Sequence, residues 1–182
     1  MPPGGGEPLR IAYLTYRGKP HVGGQGVYTR HLTKALCDLG HHVEVFGGQP
    51  YPELEDDVGL TPVPSLDLYR EPDPFRLPRR SEYRDWVDVL EVATMLTAGF
   101  GEPMTFSLRA SRLVRGRLGQ YDVVHDNQSL GYGMLGLSRL GVPLVTTIHH
   151  PVHIDRKVEL AHATGWRRLT LRRWYGFTRI QR

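Results

Sequence analysis

The first fifty residues limit the fold more than any other part of the chain. Residues 9–16, Leu-Arg-Ile-Ala-Tyr-Leu-Thr-Tyr, form a short apolar and aromatic run, the pattern of a buried strand. A turn segment with four glycines follows from Arg17 to Gly26. Beyond it Tyr28, Leu32, Ala35, Leu36 and Leu39 recur with a 3.6-residue period, which predicts a helix that buries those side chains. Gly40 stands at the C′ position, where a left-handed residue ends a helix. His42 to Phe46 reads as a second strand, stopped by Gly47 and Gly48. Strand, glycine loop, helix and strand make a βαβ unit, whose crossover requires parallel pairing. A parallel sheet needs helices on both faces.

The remainder fits that frame. Residues 49–80 are a long connection with six prolines within Pro50–Pro74 and an acidic cluster at Glu53, Glu55, Asp56 and Asp57. Such a length inside a compact domain is functional or mobile. Within it, 58–63 has room for a short strand. Periodicity predicts helices over about 82–97 and 104–118. Tyr121 to His125 is a third clear strand and 143–148 a fourth. A small helix over 130–140, ended by Gly141, lies between them, and 165–182 reads as helical. No internal repeat is present. The expected fold class is α/β, a Rossmann-like open parallel β-sheet with helices on both faces. Its expected divisions are a flexible N-terminus (1–8), a Rossmann-like domain (9–164) and a basic helix (165–182).

Composition narrows the function classes. The single cysteine, Cys37, excludes an intramolecular disulfide framework and any zinc site of several thiolates, and it fits a reducing compartment. The N-terminus lacks the basic start and apolar run of a signal peptide, and no apolar stretch reaches 18 residues. A soluble, cytoplasmic chain is the expectation. The formal charge of +4 is uneven: residues 156–182 hold eight Lys/Arg and one acid, Glu159. The high pI thus belongs to the C-terminal segment. Such a segment is a solvated face or a contact for an anionic surface.

In open parallel sheets, ligands bind beyond the carboxyl ends of the strands. Three such places carry candidate chemistry. Gly23, Gly24, Gln25 and Gly26 precede the first helix, where glycines admit close backbone approach and free N–H groups attract an anion. The alternative there is a tight turn. Asp126, Asn127 and Gln128 lie in a polar run, 125–129, suited to a polyhydroxylated ligand or to helix capping. His149, His150 and His153 follow the fourth strand, without an acid or cysteine placed to complete an obvious metal set. A histidine hydrogen-bonded to a ligand and a structural loop histidine are the two readings there. The glycine loop lacks a Walker Lys-Ser/Thr. It carries Thr29 at the third-glycine position of a dinucleotide fingerprint, and Gly47-Gly48-Gln49 replace the ribose-binding acid.

The ordered set of these motifs resembles family-4 glycosyltransferases. It comprises strand-Gly-Gly-x-Gly-helix, then Leu39-Gly40-His41-His42-Val43-Glu44-Val45, then Asp122-Val123-Val124-His125, then Pro143-Leu144-Val145-Thr146-Thr147-Ile148-His149. The resemblance runs from about Leu9 to Trp174. It implies the N-terminal, acceptor-side half of a GT-B architecture, in which two Rossmann-like domains face across a cleft. It also implies retaining transfer of a hexose from a nucleotide-diphosphate sugar, with no essential metal or other cofactor. Gly23, Gly24, Gln25 and Gly26 would face the donor diphosphate, His149 would lie near the donor sugar as the catalytic candidate, and Asp126, Asn127 and Gln128 would line the acceptor side. The family's C-terminal domain carries a Glu-x7-Glu pair, and no two glutamates here stand eight apart. The expectation is one half of a cleft, inactive without a C-terminal donor-binding domain, covalent or supplied by another chain.

Two other readings follow from the residues. One is an NAD(P)-binding Rossmann oxidoreductase, weakened by the missing glycine and acid. The other is a noncatalytic α/β module with a membrane-binding basic tail. The strands lack interleaved aromatic and basic residues, so nucleic acid is not an expected partner. For the tail, Trp166, Leu169, Arg173, Trp174, Phe177 and Ile180 share one helical face. That face is expected to pack on the domain, with a peripheral contact to the inner, anionic membrane face as the alternative. The acceptor, a sugar or a lipid, would be chosen by residues 49–118, where Tyr51, Tyr69, Trp86 and Met104 are candidate lining or core residues.

Overall fold

A computed structural model describes residues 6–19, 24–129 and 131–177. Five strands form one parallel sheet in the order β3-β2-β1-β4-β5: β1 Arg10–Thr15, β2 His42–Gly47, β3 Gly59–Pro62, β4 Val123–Asn127 and β5 Leu144–Thr147. Six α-helices accompany it: α1 Gln25–Asp38, α2 Trp86–Leu96, α3 Glu102–Arg115, α4 Tyr132–Ser138, α5 Val152–His162 and α6 Gly165–Trp174. The α/β architecture expected from the sequence is the one observed. β1 lies at the centre, buried from Ile11 to Thr15, whereas the edge strands β3 and β5 are largely exposed.

Alternation along the strands divides the core into two layers. Ile11, Tyr13, Val43 and Val45 face one way, against Leu32, Leu36 and Cys37 of α1. Ala12, Leu14, Phe46 and Val124 face the other, against Phe106, Ala110 and Val114 of α3 and Met134 and Leu137 of α4. A satellite cluster of Leu66, Leu68, Val92 and Met95 fixes the long connection onto α2. The face of α1 differs from the expectation. Its buried residues are Gly26, Thr29 and Thr33, while Tyr28 and Leu39 are exposed and Leu32 and Leu36 are only half-buried. The hydrophobic period misses this because Thr33 satisfies its own hydroxyl by donating to the Thr29 carbonyl at 2.8 Å, so a small polar residue packs there without an orphaned group.

Charge is buried between α2 and α3. Asp88 receives Arg84 at 2.9 Å and Arg109 at 2.5 Å, and Arg109 also reaches Glu91 at 2.6 Å. Burial pushes the Asp88 carboxyl up, but the hydrogen bonds from Arg84 and Arg109 outweigh it and hold its pKa at about 2. Burial leaves Glu91 shifted upward despite Arg109.

The basic C-terminal segment is docked at one end only. Trp174 stacks on Phe100 with 5.1 Å between ring centroids, Phe177 meets the same ring edge-on, and Arg173 donates to the Thr97 carbonyl and hydroxyl. Trp166 and Leu169 stay exposed, as do Arg167 and Arg168. The expected single apolar face is therefore split between packing and solvent; Arg179 and Ile180 lie outside the described residues. Among the described residues no helix is long and apolar enough to cross a membrane.

The buried ion cluster is a stability element. Arg109→Met strands the Asp88 and Glu91 carboxylates, and removing one partner of such a group costs about 3–5 kcal/mol. The expected result is a lowered urea midpoint with an unchanged m-value, read by circular dichroism. An unchanged midpoint would mean that the cluster carries no net stability.

Candidate functional site

The strand order reverses beside β1: the chain leaves β1 toward α1 on one face and leaves β4 toward α4 on the other. The two departing loops separate and open a crevice at the carboxyl ends of the strands. A cavity of about 460 Å³ occupies that place. Its wall includes Tyr16, Gly24, Gln25, Tyr28, Gln128 and His149.

Gly24 is the N-cap of α1, with φ +62° and ψ −48°, a conformation that side-chain-bearing residues rarely adopt, and its missing Cβ would project into open space. No side chain caps this helix and no acid occupies its first turn. The first intrahelical bond runs from Tyr28 N–H to the Gly24 carbonyl, so the N–H groups ahead of it have no intrahelical partner. Gly26 has a different job. A Cβ there would meet the Lys19 carbonyl at 2.0 Å, so this glycine lets the Lys19 backbone lie against the first turn of α1 rather than facing the cavity. Gly23 lies outside the described residues.

On the opposite wall, Gln128 holds β4 and β5 together. Its backbone is left-handed, φ +53°, and its amide spans to the next strand. The Gln128 oxygen accepts from His149 N–H at 2.8 Å, and its nitrogen donates to the His150 carbonyl at 2.7 Å. Asn127 is fully buried; its side-chain oxygen lies 2.5 Å from His149 Nε2, and its nitrogen donates to the Thr29 hydroxyl at 3.3 Å. That oxygen can only accept, so His149 Nε2 carries the proton, and Nδ1 is left as an acceptor in the neutral ring. Tyr28 packs edge-on against the His149 ring at 4.5 Å. Asp126 is buried and is bonded by the backbone and hydroxyl of Ser129, which turns the chain beyond β4 rather than lining the cavity.

The structure thus gathers Gly24, Gln25, Gln128 and His149 around one cavity, with Asn127 behind His149 and with Asp126 and Gly26 as supports. Sequence reading missed Tyr28, assigned above to the core, and also α5, whose start absorbs His153. His150 pairs with Asp155 of α5. No three potential metal ligands come together among the described residues. Of the other residues singled out, Met104 lines a second cavity, Tyr69 packs on Phe75, Phe100 and Trp174, Tyr51 is half-buried and Trp86 lies exposed beneath Arg112.

A five-stranded parallel sheet with helices around it and a cavity at the reversal of strand order defines a Rossmann-like α/β domain. The comparisons with known proteins identify its family. The description Glycosyltransferase Family 4 matches residues 22–181, and the chain belongs to that family. It is 61% identical over 175 residues to the protein of Mycolicibacterium hassiacum named MMP alpha-(1->4)-mannosyltransferase. That match covers 96% of this chain and 43% of the relative, so the chain spans less than half the relative's length.

Burial beside Tyr13 pulls the His125 pKa below the ordinary histidine value, and a smaller contribution comes from His149. The folded state therefore binds fewer protons than the unfolded chain just below about pH 6.5. Stability contributed by His125 is present at neutral pH and is lost as pH falls through that range. Glu102 works oppositely: burial raises its pKa to about 7 against the pull of Arg17. A His125→Gln variant leaves that second contribution in place. The difference in urea stability between wild type and His125→Gln is expected to shrink from pH 7 to pH 5; a constant difference would remove His125 from the pH dependence.

Proposed function

We propose that this chain is the acceptor-side half of a retaining glycosyltransferase of GT-B architecture. The reaction transfers mannose from a nucleotide-diphosphate sugar to an acceptor hydroxyl, forming an α-(1→4) bond. The observation that carries this is the 61% identity, across 96% of the chain, to a protein named for that linkage. The other half of the cleft is a C-terminal donor-binding domain, in the same chain or in another, and these residues alone do not turn over. In the reaction the acceptor oxygen bonds to the anomeric carbon as the bond to the diphosphate breaks, and the acceptor proton leaves with a diphosphate oxygen. No separate protein base is needed. The uncapped start of α1, at Gly24 and Gln25, receives the diphosphate charge without an essential metal. His149 orients a donor-sugar hydroxyl through Nδ1, and Gln128 and Asn127 hold that ring and edge the acceptor side.

A nucleotide-sugar donor fits a cytoplasmic site. A peripheral contact with the inner membrane face is consistent with exposed Trp166, Arg167 and Arg168. The acceptor is a saccharide or a glycolipid.

In the two-domain enzyme, Gly24→Ala strains the α1 cap by about 1–3 kcal/mol and places a methyl group where the diphosphate must approach. Turnover is expected to fall at least about tenfold for each 1.4 kcal/mol of lost transition-state binding, with the fold retained. Wild-type kcat in that variant would reject the assignment, and activity lost on adding EDTA would reject metal independence. For the tail, pelleting with anionic vesicles is expected to fall with salt and with Arg167→Glu/Arg168→Glu. Equal, negligible pelleting of both proteins would leave α6 as a packing helix.

A further inference from the structure

The polar chain behind His149 does not end at Asn127. The Asn127 side-chain nitrogen donates at 3.3 Å to the hydroxyl of Thr29, 98 residues away in sequence. Both residues are fully buried. Thr29 lies on α1, just over one turn beyond the Gly24 cap, so this bond ties the helix on one wall of the cavity to the strand ends on the other. Threonine hydroxyls inside helices commonly fold back on their own backbone. Thr33, Thr94, Thr105 and Thr170 do so here, donating to carbonyls of the preceding turn. Thr29 instead turns its hydroxyl out of the helix, to the side chain that meets the His149 ring nitrogen.

An amide side chain has two ends of similar shape and opposite polarity, and the end that faces His149 decides which ring nitrogen carries the proton. In the observed orientation Thr29 accepts from Asn127 Nδ2, and Oδ1 is left to accept from His149 Nε2. Without the hydroxyl, Nδ2 would lose its acceptor in a place shut off from water. Buried N–H groups are left unpaired more rarely than carbonyl oxygens, so the amide would gain by turning Nδ2 toward His149. The ring would then hold its proton on Nδ1, and its acceptor would become a donor.

We infer that Thr29 is a positioning residue of the transfer reaction: by holding the Asn127 amide in one orientation, its hydroxyl keeps His149 Nδ1 an acceptor. The inference rests on the glycosyltransferase reading, in which that nitrogen receives a donor-sugar hydroxyl. Thr29 has no exposed surface, so it acts through Asn127 and His149 alone.

The test uses the full two-domain enzyme. Thr29→Val keeps the shape and removes the hydroxyl, whereas Thr29→Ser keeps the hydroxyl and removes a methyl group. Thr29→Ala takes the place of Thr29→Val if that variant does not fold. Imidazole nitrogen NMR spectra, assigned with His149→Ala, are expected to show the proton on Nε2 in wild type and Thr29→Ser, and on Nδ1 in Thr29→Val. With GDP-mannose and methyl α-mannoside, Thr29→Val is expected to lower kcat about tenfold at unchanged acceptor KM. Thr29→Ser is expected to keep wild-type kcat even though its lost methyl group lowers the melting temperature. A packing role predicts the opposite, with kcat following stability. In the His149→Ala background, Thr29→Val is expected to leave kcat unchanged. A proton that stays on Nε2 in Thr29→Val, or the same kcat loss with and without His149, would overturn the inference. A moved proton with no transfer by wild type would instead sink the glycosyltransferase reading and leave the hold of Thr29 on His149 standing.

Discussion

β1 has no wet face. Ile11 and Tyr13 are shut in by the layer under α1, Ala12 and Leu14 by the layer under α3, and all four are at most 5% exposed. Burying such side chains is worth about 1.5–3 kcal/mol each, but only if the strand's N–H and C=O groups are also paired on both edges. β2 and β4 provide that pairing, residue for residue. Once β1 is central, the chain must leave it and β4 on opposite faces, and the crevice at their carboxyl ends follows as a geometric consequence. The cavity at the strand ends is thus a product of core packing, and the loops that line it add polar groups to a place already fixed.

Within that crevice the strain is local and is matched by local bonds. A non-glycine residue at φ +53° costs about 1–3 kcal/mol. The two amide hydrogen bonds of Gln128 return about 0.5–1.5 kcal/mol each, enough to hold it. Their effect reaches His149, whose backbone is bound by Gln128, whose ring nitrogen is bound by Asn127 and whose ring face is closed by Tyr28. Three constraints thus fix one imidazole. The same bonds decide its tautomer and leave Nδ1 as the acceptor.

Much of this was legible in the sequence, and the reasons differ by element. The strands were readable because a parallel sheet demands nearly continuous apolar runs, and the end of α1 because Gly40 adopts φ +90°, which glycine tolerates best. α5 was not readable. It begins at Val152, directly after His149-His150-Pro151, with Pro151 at its N-cap and no capping side chain, so no conventional cap announces it, and Ile154 and Val158 of its short apolar stripe stay exposed. The buried stripe of α1 was misread because Thr29 and Thr33 pack there as small residues with internally satisfied hydroxyls. Among the polar residues after β4, sequence alone could not separate Gln128, which lines the cavity, from Asp126, which sits buried at the turn beyond the strand. That distinction depends on Ser129 capturing the Asp126 carboxylate.

The stretch least legible from motifs, 49–118, is held by apolar clusters to which buried charge and aromatic packing are added. Arg109 bridges two buried carboxylates between α2 and α3, and Arg17 links the end of β1 to Glu102 at the start of α3. Such pairs contribute little net stability over apolar replacements, yet breaking one is costly, so they favour a single arrangement of the helices they join. That arrangement positions Phe100, Met104 and Tyr132 around the second cavity. A motif records chemistry that must be kept at a fixed backbone position, as at Gly24. A wall built from ion pairs and stacked rings requires only mutual fit, and many residue combinations supply that.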